Sequence, residues 1–328
     1  MDHSETTGLR PEAGEKTRRR EFLENTAALA AGAAVASAVA PAARAAETAS
    51  PAELPTIALG PHRVTRLVVG ANPIYGHSHF NNQYSTIMTQ YHTPERVREL
   101  LGHCQRNGIN TWQNSYSERG IADLERFRSE GGRLQWLLLG NPDWDQQPQL
   151  IEKVARHRPI GIAPHGALAE RLHRQGKVSV LLDLLKRIRQ TGVLVGLSTH
   201  NPVLMELSED KGWDVDYYMG ALYYLTRPKE ELVKMLGEPP LGEIYLPSDR
   251  DKMLKTVRTA RKPCLIYKVL AAGRMVGSQR SVREAFQYVF SRIKPTDAVI
   301  VGMWQRFGDQ VAENAGLVRE FSSLSPTG

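Results

Sequence analysis

The sequence predicts an α/β fold, a (β/α)8 barrel of the TIM type preceded by a short hairpin. Three observations carry that expectation. Short apolar blocks end abruptly in polar residues, as strands buried on both faces do. Eight such blocks alternate with helical stretches, an order that implies parallel strands and right-handed crossovers. Past its N-terminal segment the chain has roughly 280 residues, the size of one such barrel, and no shorter repeat marks a solenoid. The block at 193–202 shows the pattern plainly. Val193-Leu194-Val195-Gly196-Leu197 is apolar, then Ser198-Thr199-His200-Asn201 turns polar at once. Asn201-Pro202 is a turn-forming pair, and Asn can cap the helix that follows.

Residues 54–70 hold two short alternating runs broken at Gly60-Pro61, which reads as a hairpin leading into the first barrel strand, 67–71. Residues 74–93 read as a long loop rich in His, Asn, Tyr and Gln, and loops of that length are usually functional or disordered. Residues 94–106 have helical spacing, with Val97, Leu100, Leu101 and Cys104 on one face, Thr93 as cap and Pro94 in the first position. The second strand is 108–112, ending at Gln113-Asn114, with a helix at 121–127. The third is 134–139, ending at Gly140-Asn141, with a helix around 150–155. The fourth is 159–163, ending at Pro164-His165-Gly166. Residues 177–190 form an amphipathic helix with Leu181, Leu184, Leu185 and Ile188 inward. The fifth strand is the block described above. The sixth, 214–222, is followed by a helix at 228–235, a Pro/Gly-rich insertion at 237–247 and a helix at 249–260. The seventh is 264–270 and carries Lys268, with a helix at 281–293. The eighth is 298–301, ending at Gly302-Met303-Trp304, and 309–321 is the last helix.

The N-terminus reads as an address. Arg19-Arg20-x-Phe22-Leu23 resembles the core of a twin-arginine export signal, with Glu24 where Lys is usual. An Ala-rich apolar stretch, 26–40, leads to Ala43-Arg44-Ala45, a small-x-small cleavage pattern. The alternative is a membrane anchor, but the stretch is short for a spanning helix. The expected organisation is a signal over 1–46, a linker over 47–53 and the barrel over 54–328. It implies the twin-arginine export machinery as a partner, a periplasmic or secreted location and no stable membrane span.

The formal charge is +7; residues 1–46 carry six Lys/Arg and six Asp/Glu, so the rest of the chain keeps the whole excess. No basic block is interleaved with aromatics, which argues against nucleic acid, while an anionic substrate suits the balance. The two cysteines, Cys104 and Cys264, read as buried thiols, and without a Cys-x-x-Cys there is no thiolate metal site.

Several segments together are similar to the aldo/keto reductase superfamily. They are the hairpin and first strand from Leu59-Gly60 to Gly70, Gly108-Ile109-Asn110 at the second strand, Gly196-Leu197-Ser198-Thr199-His200 at the fifth, and Gln310-Val311-Ala312-Glu313-Asn314-Ala315 in the last helix. The likeness runs in order over about residues 54–320. It implies a TIM barrel and an oxidoreductase acting on a small carbonyl or sugar-like substrate with NADP or NAD. Ser198 and Asn201 would then lie at the nicotinamide and Glu313 and Asn314 at the adenosine end. Independently of the resemblance, Arg306 just before the last helix could hold a phosphate, as loops after strands 7–8 of such barrels do, or be a plain surface side chain. The departures are equally specific. Gln113 stands where the family has Asp, Asn141 lies where the third strand should end in Lys, and Tyr116 is the only neighbouring Tyr. His165 does match the family's fourth-strand His. Amides do not titrate, so the charges of that carbonyl-reducing set are missing.

Closure brings the strand ends around one mouth. His165, His200 and Lys268 are therefore the expected catalytic residues, and Asn72, Gln113, Asn114, Asn141, Tyr116 and Trp304 the expected substrate contacts. Each has a bland counterpart: a histidine at a strand end can simply bond the backbone, and Lys268 can snorkel to solvent. If Lys268 points into the mouth, it becomes a base or an amine nucleophile. Tyr75, His77 and His79 lie on the long loop; two loop histidines without a third ligand do not make a metal site, and no metal is expected. Three readings stay open: the reductase, a non-redox acid/base enzyme of the lyase or isomerase class, and a catalytically silent binding protein.

Overall fold

The structure is a computed structural model that describes residues 53–324, so the expected export signal and most of the linker lie outside the described residues. Gly60 turns with φ +56°, a left-handed conformation that glycine adopts without a side-chain penalty. The turn pairs β1 (Thr56–Leu59) with β2 (His62–Thr65) antiparallel, Thr56 opposite Thr65. Then follow β3 (Leu67–Gly70), α1 (Asn82–Tyr91), α2 (Pro94–Arg106), β4 (Thr111–Ser115), α3 (Glu118–Ser129), β5 (Gln135–Leu139), α4 (Leu150–Ala155) and β6 (Gly161–Ala163). The second half contains α5 (Gly166–Arg174), α6 (Val178–Gln190), β7 (Leu194–Thr199), α7 (Pro202–Lys211), β8 (Tyr217–Ala221), α8 (Lys229–Leu236), α9 (Pro247–Thr259), β9 (Cys264–Tyr267), α10 (Gln279–Phe290), β10 (Ala298–Gly302) and α11 (Gln310–Phe321). Strands β3 to β10 form a closed parallel barrel, with β10 returning to β3 from Val299 opposite Leu67 to Gly302 opposite Gly70. The chain is thus a (β/α)8 TIM barrel with an N-terminal hairpin.

Alternation along the strands sorts the side chains into two cores. Val68, Leu137, Ala163, Tyr217, Met219, Leu265 and Ile300 fill the barrel, and Ile57, Leu59 and Val64 of the hairpin join them and plug its floor. Trp112, Trp136, Leu138, Leu197 and Val299 face the helices. Below the barrel, buried Arg66 donates through Nε to the Asp297 carbonyl at 2.9 Å and through Nη1 to the Ser322 carbonyl at 2.8 Å, clamping the end of the chain to the floor.

Three details differ from the expected layout. The stretch 74–93 contains α1, started by Asn81, whose Oδ1 accepts from the Tyr84 N–H at 2.7 Å; only Met88 of this helix is buried, so no apolar stripe announces it. A further helix, α5, begins directly at the end of β6, capped by His165. Strand β9 stops at Tyr267, because Lys268 adopts φ +65° and leaves the sheet. Both cysteines are buried free thiols. Among the described residues no helix is long and apolar enough to cross a membrane.

Tyr217 crosses the barrel interior against two glycines. A Cβ on Gly196 would lie 2.4 Å from the Tyr217 ring, and one on Gly161 would lie 2.9 Å from it. Gly196→Ala should therefore destabilise by about 1–3 kcal/mol through overpacking, read as a lower denaturation midpoint. Adding Tyr217→Leu should return part of that loss, and strict additivity of the two changes would show that the contact is not the cause.

Candidate active site

Strand β7 delivers His200 just past its last residue, and α5 brings Glu170 beneath it. Glu170 is 2 % exposed. It accepts from Thr199 Oγ1 at 2.8 Å, from the Asn201 N–H at 3.0 Å, from the His200 N–H and from Thr226 Oγ1 on the loop after β8. Burial alone would raise this carboxyl, but the bonds and charge from His200 and the bond from Thr226 outweigh it and hold it at about 2. Its Oε1 faces His200 Nδ1 at 3.4 Å. The other ring nitrogen, Nε2, lies 3.4 Å from the Tyr267 hydroxyl at the end of β9, and that hydroxyl lies 3.3 Å from Ser198 Oγ. Carboxylate, imidazole and phenol thus stand in line at the top of the barrel.

His165 stands next to this line, at the end of β6. Its Nδ1 accepts from the Ala167 N–H at 3.2 Å, so the neutral ring carries its proton on Nε2. Burial lowers its pKa to about 4, and the charges of His200, Lys268 and His77 push the same way. Across the mouth, three chain segments converge on Lys268. Its Nζ meets His79 Nε2 at 2.9 Å, and His79 Nδ1 meets Glu243 Oε1 at 2.8 Å. Glu243 comes from the insertion between α8 and α9 and also accepts from the Tyr245 hydroxyl at 3.1 Å. Burial lowers the Lys268 ammonium to about 8; Glu243 opposes that shift and Arg274 reinforces it.

His165, His200 and Lys268 therefore share one neighbourhood at the mouth. Gln113 lies on β4 opposite Leu137, which faces the barrel interior, and Asn72 is exposed just past β3. Other expected contacts sit elsewhere. Asn114 lies opposite Leu138 on the helix-facing side, and its Oδ1 accepts from Trp136 Nε1 at 2.5 Å, because the pleat turns successive residues to opposite faces. The Tyr116 hydroxyl donates to the exposed Glu118 at 2.6 Å and accepts from the exposed Lys153 at 3.3 Å. Trp304 is 6 % exposed, with its ring edge-on to Tyr84 and Phe307 at 5.7 and 5.2 Å, so protein occupies its faces. Asn141 is half-buried just past β5.

Of the residues expected at a nicotinamide cofactor, Ser198 has no exposed surface and Asn314 is 3 % exposed. Asn201 uses Oδ1 to cap α7 and Nδ2 to reach the Tyr224 hydroxyl at 3.2 Å. Glu313 accepts from Gln279, and only Arg306 stands exposed without a carboxylate beside it. This set does not form an open cradle for the cofactor. Among the described residues no group of three or more His, Cys, Asp or Glu side chains is placed to hold a metal ion.

Glu170, Glu243 and Tyr267 were not singled out from sequence. Glu170 lies one helical turn after the buried Gly166, and an acid on the inner face of a helix starting at a strand end is the signal that was there to read. Glu243 lies in the Pro/Gly-rich insertion, where no periodicity predicts an inward side chain.

The architecture is that of a (β/α)8 barrel with its titratable groups at the C-terminal face. No protein-family model matches the chain, and no curated protein is similar to it in sequence. Among solved structures it is similar to a putative aldo-keto reductase from Pseudomonas aeruginosa, at 17 % identity, over 83 % of this chain and 96 % of that one, with a TM-score of 0.52. A glycerol dehydrogenase from Gluconobacter oxydans matches at 11 % identity over 85 % of this chain and 98 % of that one, with a TM-score of 0.44. A truncated 3-deoxy-D-arabino-heptulosonate 7-phosphate synthase from Thermotoga maritima matches at 12 % over 82 % and 90 %, with a TM-score of 0.46. The first of these likenesses is one of fold.

The site has a signature in stability against pH. His165 has a folded pKa of about 4, below its model-peptide value of 6.5, so the unfolded chain takes up that proton first and stability falls as pH drops from about 6.5 to 4. Glu170, at about 2 against 4.5, adds a second loss as pH falls from about 4.5 to 2. Denaturant midpoints measured across this range should show both losses. His165→Gln should flatten the upper window and leave the lower one, and an unchanged upper window would mean that His165 is not held neutral.

Proposed function

We propose that the protein is an exported enzyme of the lyase or isomerase class that moves protons on a small carbonyl- or hydroxyl-bearing substrate at the barrel mouth. The observation that carries this reading is the line Glu170, His200, Tyr267. The carboxylate faces His200 Nδ1, which places the neutral ring's proton there and leaves Nε2 facing Tyr267 as the nitrogen that exchanges protons. Tyr267 can pass a proton to a substrate oxygen and recover one from His200 Nε2. Burial raises its pKa and keeps the phenol protonated, so any proton it gives up must be replaced at once from His200 Nε2. His165, neutral with its proton on Nε2, donates a hydrogen bond to the substrate without adding charge. Gln113 and Asn72 supply amides for hydroxyl groups, which fits a sugar-like compound.

A panel of small hydroxy-aldehydes and hydroxy-ketones incubated with the protein in D2O should show exchange of the proton next to the carbonyl, followed by NMR. His200→Ala and Tyr267→Phe should each slow that exchange by about 10²–10⁴-fold, the usual worth of a positioned acid or base. Full exchange in both variants would end this reading.

The fold likeness to a putative aldo-keto reductase favours a second reading, an oxidoreductase using NADP or NAD. The closed positions at Ser198 and Asn314 and the amide at Gln113 weigh against it. Titration with NADPH, read by its fluorescence, separates the two: saturable binding with hydride transfer to the same carbonyl panel would put the second reading first.

Export is proposed from the sequence alone, on the order of paired arginines, apolar stretch and Ala-x-Ala. Replacing Arg19 and Arg20 with Lys should hold the precursor in the cytoplasm, and unchanged export of that variant would refute the route.

A further inference from the structure

We propose that Lys268 is an amine nucleophile that forms an iminium with the carbonyl carbon of an aldehyde or ketone substrate, and that His79 is the base that frees it. The inference rests on the proton-transfer reading of the mouth and names the substrate class and the covalent step. Its geometry is specific. The Lys268 ammonium points at His79 Nε2 at 2.9 Å, and because His79 Nδ1 faces the Glu243 carboxylate at 2.8 Å, the proton of the neutral ring sits on Nδ1 and Nε2 is free to accept. Uptake of the lysine proton makes an imidazolium that Glu243 stabilises. The backbone supports the same conclusion: Lys268 at φ +65° and His79 at φ +55° are both left-handed non-glycine residues, and each bonds the other. Such conformations are disfavoured for residues with a Cβ and cluster at functional sites. A lysine that only snorkels to water needs neither a strained backbone nor a histidine–carboxylate partner.

The charged and titratable groups facing Lys268 are His79, Glu243 and Arg274, with His77 and His165 further round the mouth. An ammonium lowered to about 8 leaves roughly a tenth as free amine near pH 7, far more than a lysine at 10.5. The step balances. Nζ bonds to the carbonyl carbon, the C=O pair moves to oxygen, and that oxygen takes the proton held on His79. A second proton, from Nζ by way of His79, lets it leave as water and forms the C=N bond. The iminium then draws electrons from the neighbouring C–H bond, whose proton the His200 side of the mouth accepts. Hydration reverses the sequence and frees the lysine.

The test is reductive trapping on the full chain, with glycolaldehyde as probe and sodium cyanoborohydride at about pH 7, read by peptide mass mapping. Lys268 should be labelled at least about tenfold faster than any other lysine. Lys268→Met should lose that adduct, with thermal melting checking its fold and Lys268→Arg as a second non-nucleophilic control. His79→Gln keeps a hydrogen-bonding amide but cannot take up a proton, and it should slow labelling by about tenfold or more while the fold melts normally. Label spread evenly over surface lysines, or labelling untouched by Lys268→Met, overturns the proposal. If Lys268 fails to trap while His200→Ala still slows exchange, only the covalent step falls. If Lys268 traps while His200→Ala and Tyr267→Phe both exchange at full rate, the proton-transfer reading falls and the nucleophile stands.

Discussion

The top of the barrel depends on one buried carboxylate. Glu170 is removed from water, and an ion so placed is tolerated only when its lone pairs are filled. The chain fills them from three directions: Thr199 from the end of β7, the His200 and Asn201 N–H groups from the turn after it, and Thr226 from beyond β8. These bonds fix the path of the β7 tip and dock α5 beside it. Remove the carboxylate, and the backbone N–H groups of the turn lose their acceptor together with the His200 ring. Asn201 then loses part of the geometry that lets it cap α7. Local fold and site geometry are here one set of hydrogen bonds.

The two ends of the barrel use charge differently. At the floor, Arg66 and Lys294 are spent on carbonyls and on Asp297, whose Oδ1 accepts from the Cys264 N–H at 2.9 Å and whose Oδ2 accepts from the Lys294 N–H at 2.8 Å. Their partners are backbone carbonyls, the Asp297 carboxylate, the Cys264 thiol and the Phe290 ring, and the hairpin seals the apolar interior above them. At the mouth, the charged groups face one another and the opening, and Lys268 and His165 are held away from their ordinary protonation ranges by burial. The floor charges are desolvated too: burial raises the Asp297 carboxyl and lowers the Arg66 guanidinium, but their partners are groups of the fold and not the opening.

Much of the fold was legible because each strand is a short apolar block that ends in polar residues, and because β-pleat and helix periods differ enough to tell apart. Where the local signal was weak the reading failed: α1 has a good cap but only Met88 buried, and α5 starts without a loop between it and β6. The site was half legible. His165, His200 and Lys268 could be found because topology alone places strand ends around a mouth. Asn114 could not be separated from Gln113 without the register, since one step along a strand reverses the face. Glu170 and Glu243 were out of reach for a different reason. One lies on a helix face whose inward direction depends on docking, and the other lies in an insertion whose path follows no period. Long-range partners of a histidine are tertiary facts, and sequence spacing does not encode them.

The distribution of titratable groups around the barrel carries the strongest chemical implication. In the reductase-like arrangement the sequence resembles, charge would stand at the ends of β4 and β5. Here Gln113 stands in the middle of β4 and Gly140 follows β5, and the Tyr116 phenol is engaged by the exposed pair Glu118 and Lys153. The titratable groups of the mouth stand instead at the ends of β6, β7 and β9 and on two long connections. They form two histidine–carboxylate pairs of unlike character. The Glu170 pair is buried, and its carboxylate is held by Thr199, Thr226 and two backbone N–H groups, which fixes the geometry of the imidazole beside it. The Glu243 pair is built from two loops and is part-exposed, which suits a group that must meet a substrate and let it go. A phenol sits beside the first pair and an amine beside the second, so a carbonyl compound in the mouth would have a proton donor on one side and a nucleophile on the other.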